Sequence, residues 1–176
     1  MHSYRIIGQI GHGRHSDFLQ GFIAQDRLHL LEFCRTLSAD QLNSTATGTY
    51  GTITSTFNHL IYADAGYLPR VKVTRPAWAE GDETDVADLK ELEARVDETA
   101  KLWEQYLADP LDARHKLSLD QGAYETESFV PIAQALHHGN VHREQICSIL
   151  TVLGLEPPDL QVWAYAEATG HAREVR

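Results

Sequence analysis

The sequence predicts an all-α protein, a four-helix bundle closed by a short C-terminal helix. Four long stretches place apolar residues three and four apart, the period of an amphipathic helix. No segment alternates convincingly enough to build a sheet, and no internal repeat, low-complexity tract or Ser/Gly linker divides the chain. Its 176 residues therefore read as one domain, 1–176, long enough to bury about two-thirds of the unfolded surface.

The first helix is expected from Ser16 to Leu37. Ser16 can cap the free amides, Asp17 suits the positive end, and Leu19, Phe22, Ile23, Leu30, Phe33 and Leu37 form its stripe. Ser38, Asp40 and Asn43 supply turn chemistry. The second helix, Gly51 to Leu68, carries Ile53, Phe57, Leu60, Ile61 and Leu68 on one side, and Pro69 stops it. Val71 to Asp85 contains Pro76, Gly81 and several charges and reads as a loop.

The third helix runs from Val86 to Ala108, with Leu89, Leu92, Val96, Leu102, Trp103 and Tyr106 for burial, and ends at Asp109 and Pro110. Leu111 to Glu127 fits either a short hairpin or an irregular crossover. The fourth helix spans Ser128 to Leu153: Pro131 is tolerated in the first turn and Gly154 is a natural stop. A proline turn then leads to a short final helix that packs Leu160, Val162, Trp163 and Tyr165 against the body. Four long helices without a sheet make a bundle.

Composition narrows the function. Fifteen Lys and Arg against 25 Asp and Glu leave a net charge of −10, which repels phosphate backbones and argues against a nucleic-acid partner. No apolar run approaches the ~20 residues of a membrane span, so no membrane partner is expected. The opening residues MHSYRIIGQIGHGRH lack the apolar core of a secretion signal, which makes the cytoplasm the expected location. The only two cysteines, Cys34 and Cys147, fall inside apolar patterns and read as core residues.

Histidine is the unusual residue, ten in all, three of them within His137 to His142. On the fourth helix Ala135, His138, His142, Ile146, Ile149 and Leu153 form a seam, so His138 and His142 lie one turn apart facing the core. Two imidazoles so placed can reach one metal ion, and they can equally be hydrogen-bonded core histidines. A third ligand has to come from another helix. His59 is the candidate, yet the helical wheel puts it about 150° from the middle of the apolar stripe, beside Ser55 and Tyr62, a solvent-facing position. His137 points away from the seam, and His2, His12, His15, His29, His115 and His171 have no partner at ligand spacing.

Three blocks carry a resemblance: NHLIYADAGYLPR with Gly51, Thr52 and Ile53 just before it, HHGNVHREQ, and LGLEPPDLQVWAY. In this order they resemble the DinB/YfiT-like family of metal-binding four-helix proteins, which shares only a name with a translesion polymerase. The resemblance implies a bundle of unusual handedness, a homodimer, and a divalent metal held by one histidine of the second helix and an H-x3-H pair of the fourth. By motif these are His59, His138 and His142. The chain departs from the pattern at Gln134, where the family often has histidine, at Tyr67, often tryptophan, and at Glu144, usually glycine.

Three histidines leave a metal with open positions, the mark of a catalytic rather than a closed structural site. Zinc or nickel suits imidazole ligands, as do iron and copper. Both hydrolysis and thiol transfer are then available. Gly139, Asn140 and Val141 separate the paired histidines, where H-E-x-x-H hydrolases carry a glutamate base. A thiolate needs no such base, and the resemblance points the same way, since relatives include thiol-dependent S-transferases as well as proteins labelled metal-dependent hydrolases. The expectation is an enzyme acting on a small-molecule substrate with a divalent metal and a low-molecular-weight thiol. A metal-dependent hydrolase and a non-catalytic, stress-linked metal-binding bundle are the alternatives. Arg143 is a candidate to orient an anionic substrate or thiol, with structural ion pairing as its other reading. Asp64, inside an apolar stripe, is expected to pair with an arginine.

Overall fold

The computed structural model describes residues 15–84, 88–108, 112 and 114–175, the side chains of 15–20, 22 and 23 excepted. The Ser16 cap, Leu19, Phe22, Ile23, Val86 and the Asp109–Pro110 stop lie outside these described residues, as do His2, His12 and the side chain of His15. Among the described residues four long helices dominate: α1 (His15–Cys34), α3 (Ile53–Tyr67), α4 (Leu89–Ala108) and α5 (Phe129–Val152). Two short ones join them, α2 (Ala39–Leu42) and α6 (Val162–Ala168). No helix of the described residues is long and apolar enough to cross a membrane.

The helix ends follow local chemistry. Past Cys34 the backbone tightens into i→i−3 bonds, Thr36 N–H to Phe33 and Leu37 N–H to Cys34, so α1 ends three residues before the expected Leu37. Ser38 then forms a capping box with Gln41 and opens α2, a turn of helix where the sequence indicated only a turn. Thr52 caps α3, its Oγ1 accepting the Ser55 N–H at 3.0 Å. Gly154 follows α5 with φ +75°, the left-handed geometry that ends a helix.

The segment read as hairpin or crossover is a hairpin. Strands β1 (Lys116–Leu119) and β2 (Tyr124–Glu127) pair antiparallel, Lys116 opposite Glu127 and Leu119 opposite Tyr124. Asp120, Gln121 and Gly122, all at positive φ, make the turn. Leu117 and Thr126 face each other on the buried side.

Helix α1 packs on α4 and, less extensively, on α5, while α3 packs on α5 and α4. The core at their centre draws Leu30, Leu31 and Cys34 from α1, Ile53, Phe57 and Ile61 from α3, Leu92 and Val96 from α4, and Ile146, Ile149 and Leu150 from α5. A second cluster of Leu68, Val71, Trp103, Leu117 and Ala135 seats the hairpin. At α6 the expectation is half corrected. Tyr165 is buried and Leu160 packs on the core, but Trp163 is 72% exposed and Val162 is also exposed. A helix of seven residues has one narrow buried stripe, and Tyr165 and Ala166 fill it.

Candidate metal centre

Helix α5 brings the His138 and His142 rings to 4.4 Å between centroids, as expected for residues one turn apart. The His59 ring on α3 lies 5.2 Å from that of His138 and 4.8 Å from that of His142. One ring nitrogen from each of the three lies within 4.8 Å of the others, and among the described residues these are the side chains that come together in a group able to hold a metal ion. His142 is buried, whereas His138 sits half-buried at the edge of the seam whose centre is Ala135, Gly139, His142 and Ile146.

The solvent-facing position that the wheel assigned to His59 is corrected, because α3 covers two faces. One is the apolar stripe. The other is closed by the loop after α3, which folds back along the helix. Tyr62 Oη donates to the Gly81 carbonyl, and Glu83 meets Asn58 Nδ2 at 3.1 Å and His59 Nδ1 at 3.0 Å. Asn58 is thereby buried, and the His59 side chain keeps only 24% of its exposure. Tyr50 completes the cover, stacking on the His59 ring at 4.1 Å and 15° and standing edge-on to His142 at 5.5 Å.

Burial, then the neighbouring His142 and His59, holds His138 down to about 4, and burial also lowers His142. Both rings are therefore neutral at pH 7, as metal ligation requires. His142 Nδ1 bonds Gln145 Oε1 at 2.9 Å, and the same oxygen accepts the Tyr50 backbone N–H at 3.2 Å. His138 Nδ1 is buried with no hydrogen-bond partner. Three imidazoles, two with Nδ1 engaged and one with an orphaned buried nitrogen, suit a borderline divalent ion.

Two departures from the resembling pattern meet each other: Gln134 Nε2 donates to Tyr67 Oη at 3.3 Å, and the Tyr67 ring stands edge-on to His138 at 5.9 Å.

Beneath the imidazoles lies a buried charged layer. Asp64 pairs with Arg27 at 2.5 Å, which supplies the arginine that the sequence required but did not name. Arg143 pairs with Asp26 at 3.0 Å and donates to Asn140 Oδ1, its side chain 6% exposed. This is the ion pairing that was one of its two readings. Cys34 is a core residue as expected and the partly buried Cys147 packs against that core, and burial pushes both thiols up to about 12.

Reading the sequence alone missed Tyr50, Glu83 and Gln145. Gln145 was within reach, standing three residues after His142 on one helix face. Tyr50 and Glu83 belong to irregular segments whose pattern carries no such signal. No curated protein matches the chain. The model of the DinB family matches it over residues 16–175.

Proposed function

The chain belongs to the DinB family, and from that premise we propose that it is an enzyme whose His59, His138 and His142 hold a divalent ion, zinc or nickel, for reaction of a low-molecular-weight thiol with a small electrophile. The observation that carries this reading is the convergence of three imidazole nitrogens within 4.8 Å. A divalent ion bound there supplies Lewis acidity that stabilises a thiolate at neutral pH.

The protein's own side chains prepare that chemistry. His138 and His142 are kept neutral by burial, so their lone pairs need no deprotonation at physiological pH. Tyr50 and Tyr67 flank the rings with aromatic surface, Tyr50 exposed enough to meet a substrate. The nucleophilic sulfur comes from outside, because Cys34 and Cys147 are packed in or against the core and protonated at pH 7. Hydrolysis would need a base at the site. Gly139, Asn140 and Val141 offer none, and Glu83 engages both oxygens with Asn58 and His59.

The test begins with elemental analysis of purified protein and of His142→Ala, followed by turnover of small thiols with an electrophilic chromophore. About one metal per chain, with uptake and turnover both lost in the variant, is the expected result. Turnover that survives loss of the metal sinks the mechanism. A metal that is present and stabilising, without any turnover, favours the non-catalytic bundle, and turnover of esters or amides without thiol favours the hydrolase.

A further inference from the structure

We propose that Glu83 and Gln145 are positioning residues that fix the tautomers of the neutral His59 and His142 rings, so that Nε2 is the nitrogen each leaves for an ion, while His138 has no such anchor. This rests on the metal reading above and adds to it the proton inventory of the site.

The argument for His142 is one of donors and acceptors. The Tyr50 backbone N–H can only donate, so the Gln145 side-chain atom it meets at 3.2 Å is the carbonyl oxygen. That oxygen can only accept. His142 Nδ1, 2.9 Å from it, therefore carries the proton, and in a neutral imidazole Nε2 is then the lone pair.

At His59 a carboxylate does the same work. Glu83 Oε1 accepts from Asn58 Nδ2 at 3.1 Å and Oε2 faces His59 Nδ1 at 3.0 Å, so Nδ1 carries the proton there too. Asn58 is 2% exposed, which makes the far end of this bridge rigid. A carboxylate behind a ligating imidazole also raises the ring's basicity toward a metal. Tyr50 joins the two anchors: its ring stacks on His59, and its backbone occupies the oxygen that holds His142. His138 stands apart, its Nδ1 buried with no hydrogen-bond partner.

The test is long-range nitrogen–proton NMR of histidine-labelled, metal-free protein at pH 7.5, alongside zinc affinity by chelator competition. The expected wild-type spectrum shows the neutral forms of His59 and His142 with the proton on Nδ1 and the lone pair on Nε2. Glu83→Ala should release the His59 tautomer only, and Gln145→Leu the His142 tautomer only, each weakening zinc binding by about 10–100-fold. Gln145→Glu keeps an acceptor oxygen for both the Tyr50 N–H and His142 Nδ1 and should retain the His142 tautomer, which separates positioning from a general loss of fold. Bare Nδ1 atoms in the wild type, or zinc affinity unchanged in both Glu83→Ala and Gln145→Leu, would overturn the proposal. Wild-type protein with the stated tautomers but no zinc uptake overturns the metal reading alone.

Discussion

Gly139 occupies the middle of α5, where alanine would ordinarily be preferred by about 1 kcal/mol. A Cβ at this position would meet Arg27 Nη2 at 2.9 Å. The end of an arginine can usually swing away at little cost. Here it is held by Asp64 at 2.5 Å with both side chains 5% exposed, so any movement strains a buried ion pair. Breaking such a pair outright costs about 3–5 kcal/mol, and a partial displacement costs less. After subtracting the helix-propensity gain, Gly139→Ala should destabilise the protein by about 1–2 kcal/mol. Urea denaturation decides it: a more stable variant would mean that Arg27 relaxes without leaving Asp64. The same residue explains why no glutamate base stands between the paired histidines. The face of α5 next to His138 is committed to the charged layer.

At the scale of elements, the loop between α3 and α4 has the most to do with the site. It is tied to α4 through Trp78, whose Nε1 donates to Glu98 Oε2 at 2.9 Å beneath an Arg95 guanidinium 4.7 Å from the ring. Its far end carries Glu83 onto His59. Trp78→Ala should therefore speed amide exchange through residues 77–84 and weaken zinc binding several-fold, less than Glu83→Ala does. Unchanged zinc affinity with faster exchange would show that the bonds from α3, Asn58 to Glu83 and Tyr62 to Gly81, suffice to hold Glu83 in place. The long helices were legible in the sequence because burying one stripe imposes a 3.6-residue period, and His138 and His142 were legible as part of it. His59 was not legible from the wheel, which counts only the face a helix turns to the core. The cover on its other face comes from a loop without periodicity. The hairpin was ambiguous because Asp120 and Gln121 adopt positive φ without being glycine, and Trp163 was misjudged because a short helix buries fewer residues than its apolar content suggests.

For the molecule as a whole, two sets of buried groups pull stability in opposite directions with pH. Burial raises Asp26 from 3.8 to about 7 against the opposing pull of Arg143 and Arg27, and raises Asp64 to about 6. A carboxyl whose folded value is raised contributes stability that is complete below 3.8 and is lost as pH rises through about 6 to 7. His138 has the opposite sign. Held at about 4 against an ordinary 6.5, it contributes stability that is complete above 6.5 and is lost as pH falls toward 4. In metal-free wild type the two trends oppose each other between pH 7 and 5, with His142, also lowered by burial, on the side of His138, so the melting temperature should change less than either set alone would move it. Asp26→Asn removes the larger acid-favouring contribution. Apart from a pH-independent offset from the changed side chain, its melting temperature should drop relative to that of the wild type as the pH falls. His138→Ala should do the reverse and grow more stable toward pH 5. Calorimetry of the three apoproteins across that range reads the slopes directly. If Asp26→Asn runs parallel to the wild type, Asp26 stays charged throughout and its pair with Arg143 outweighs its burial.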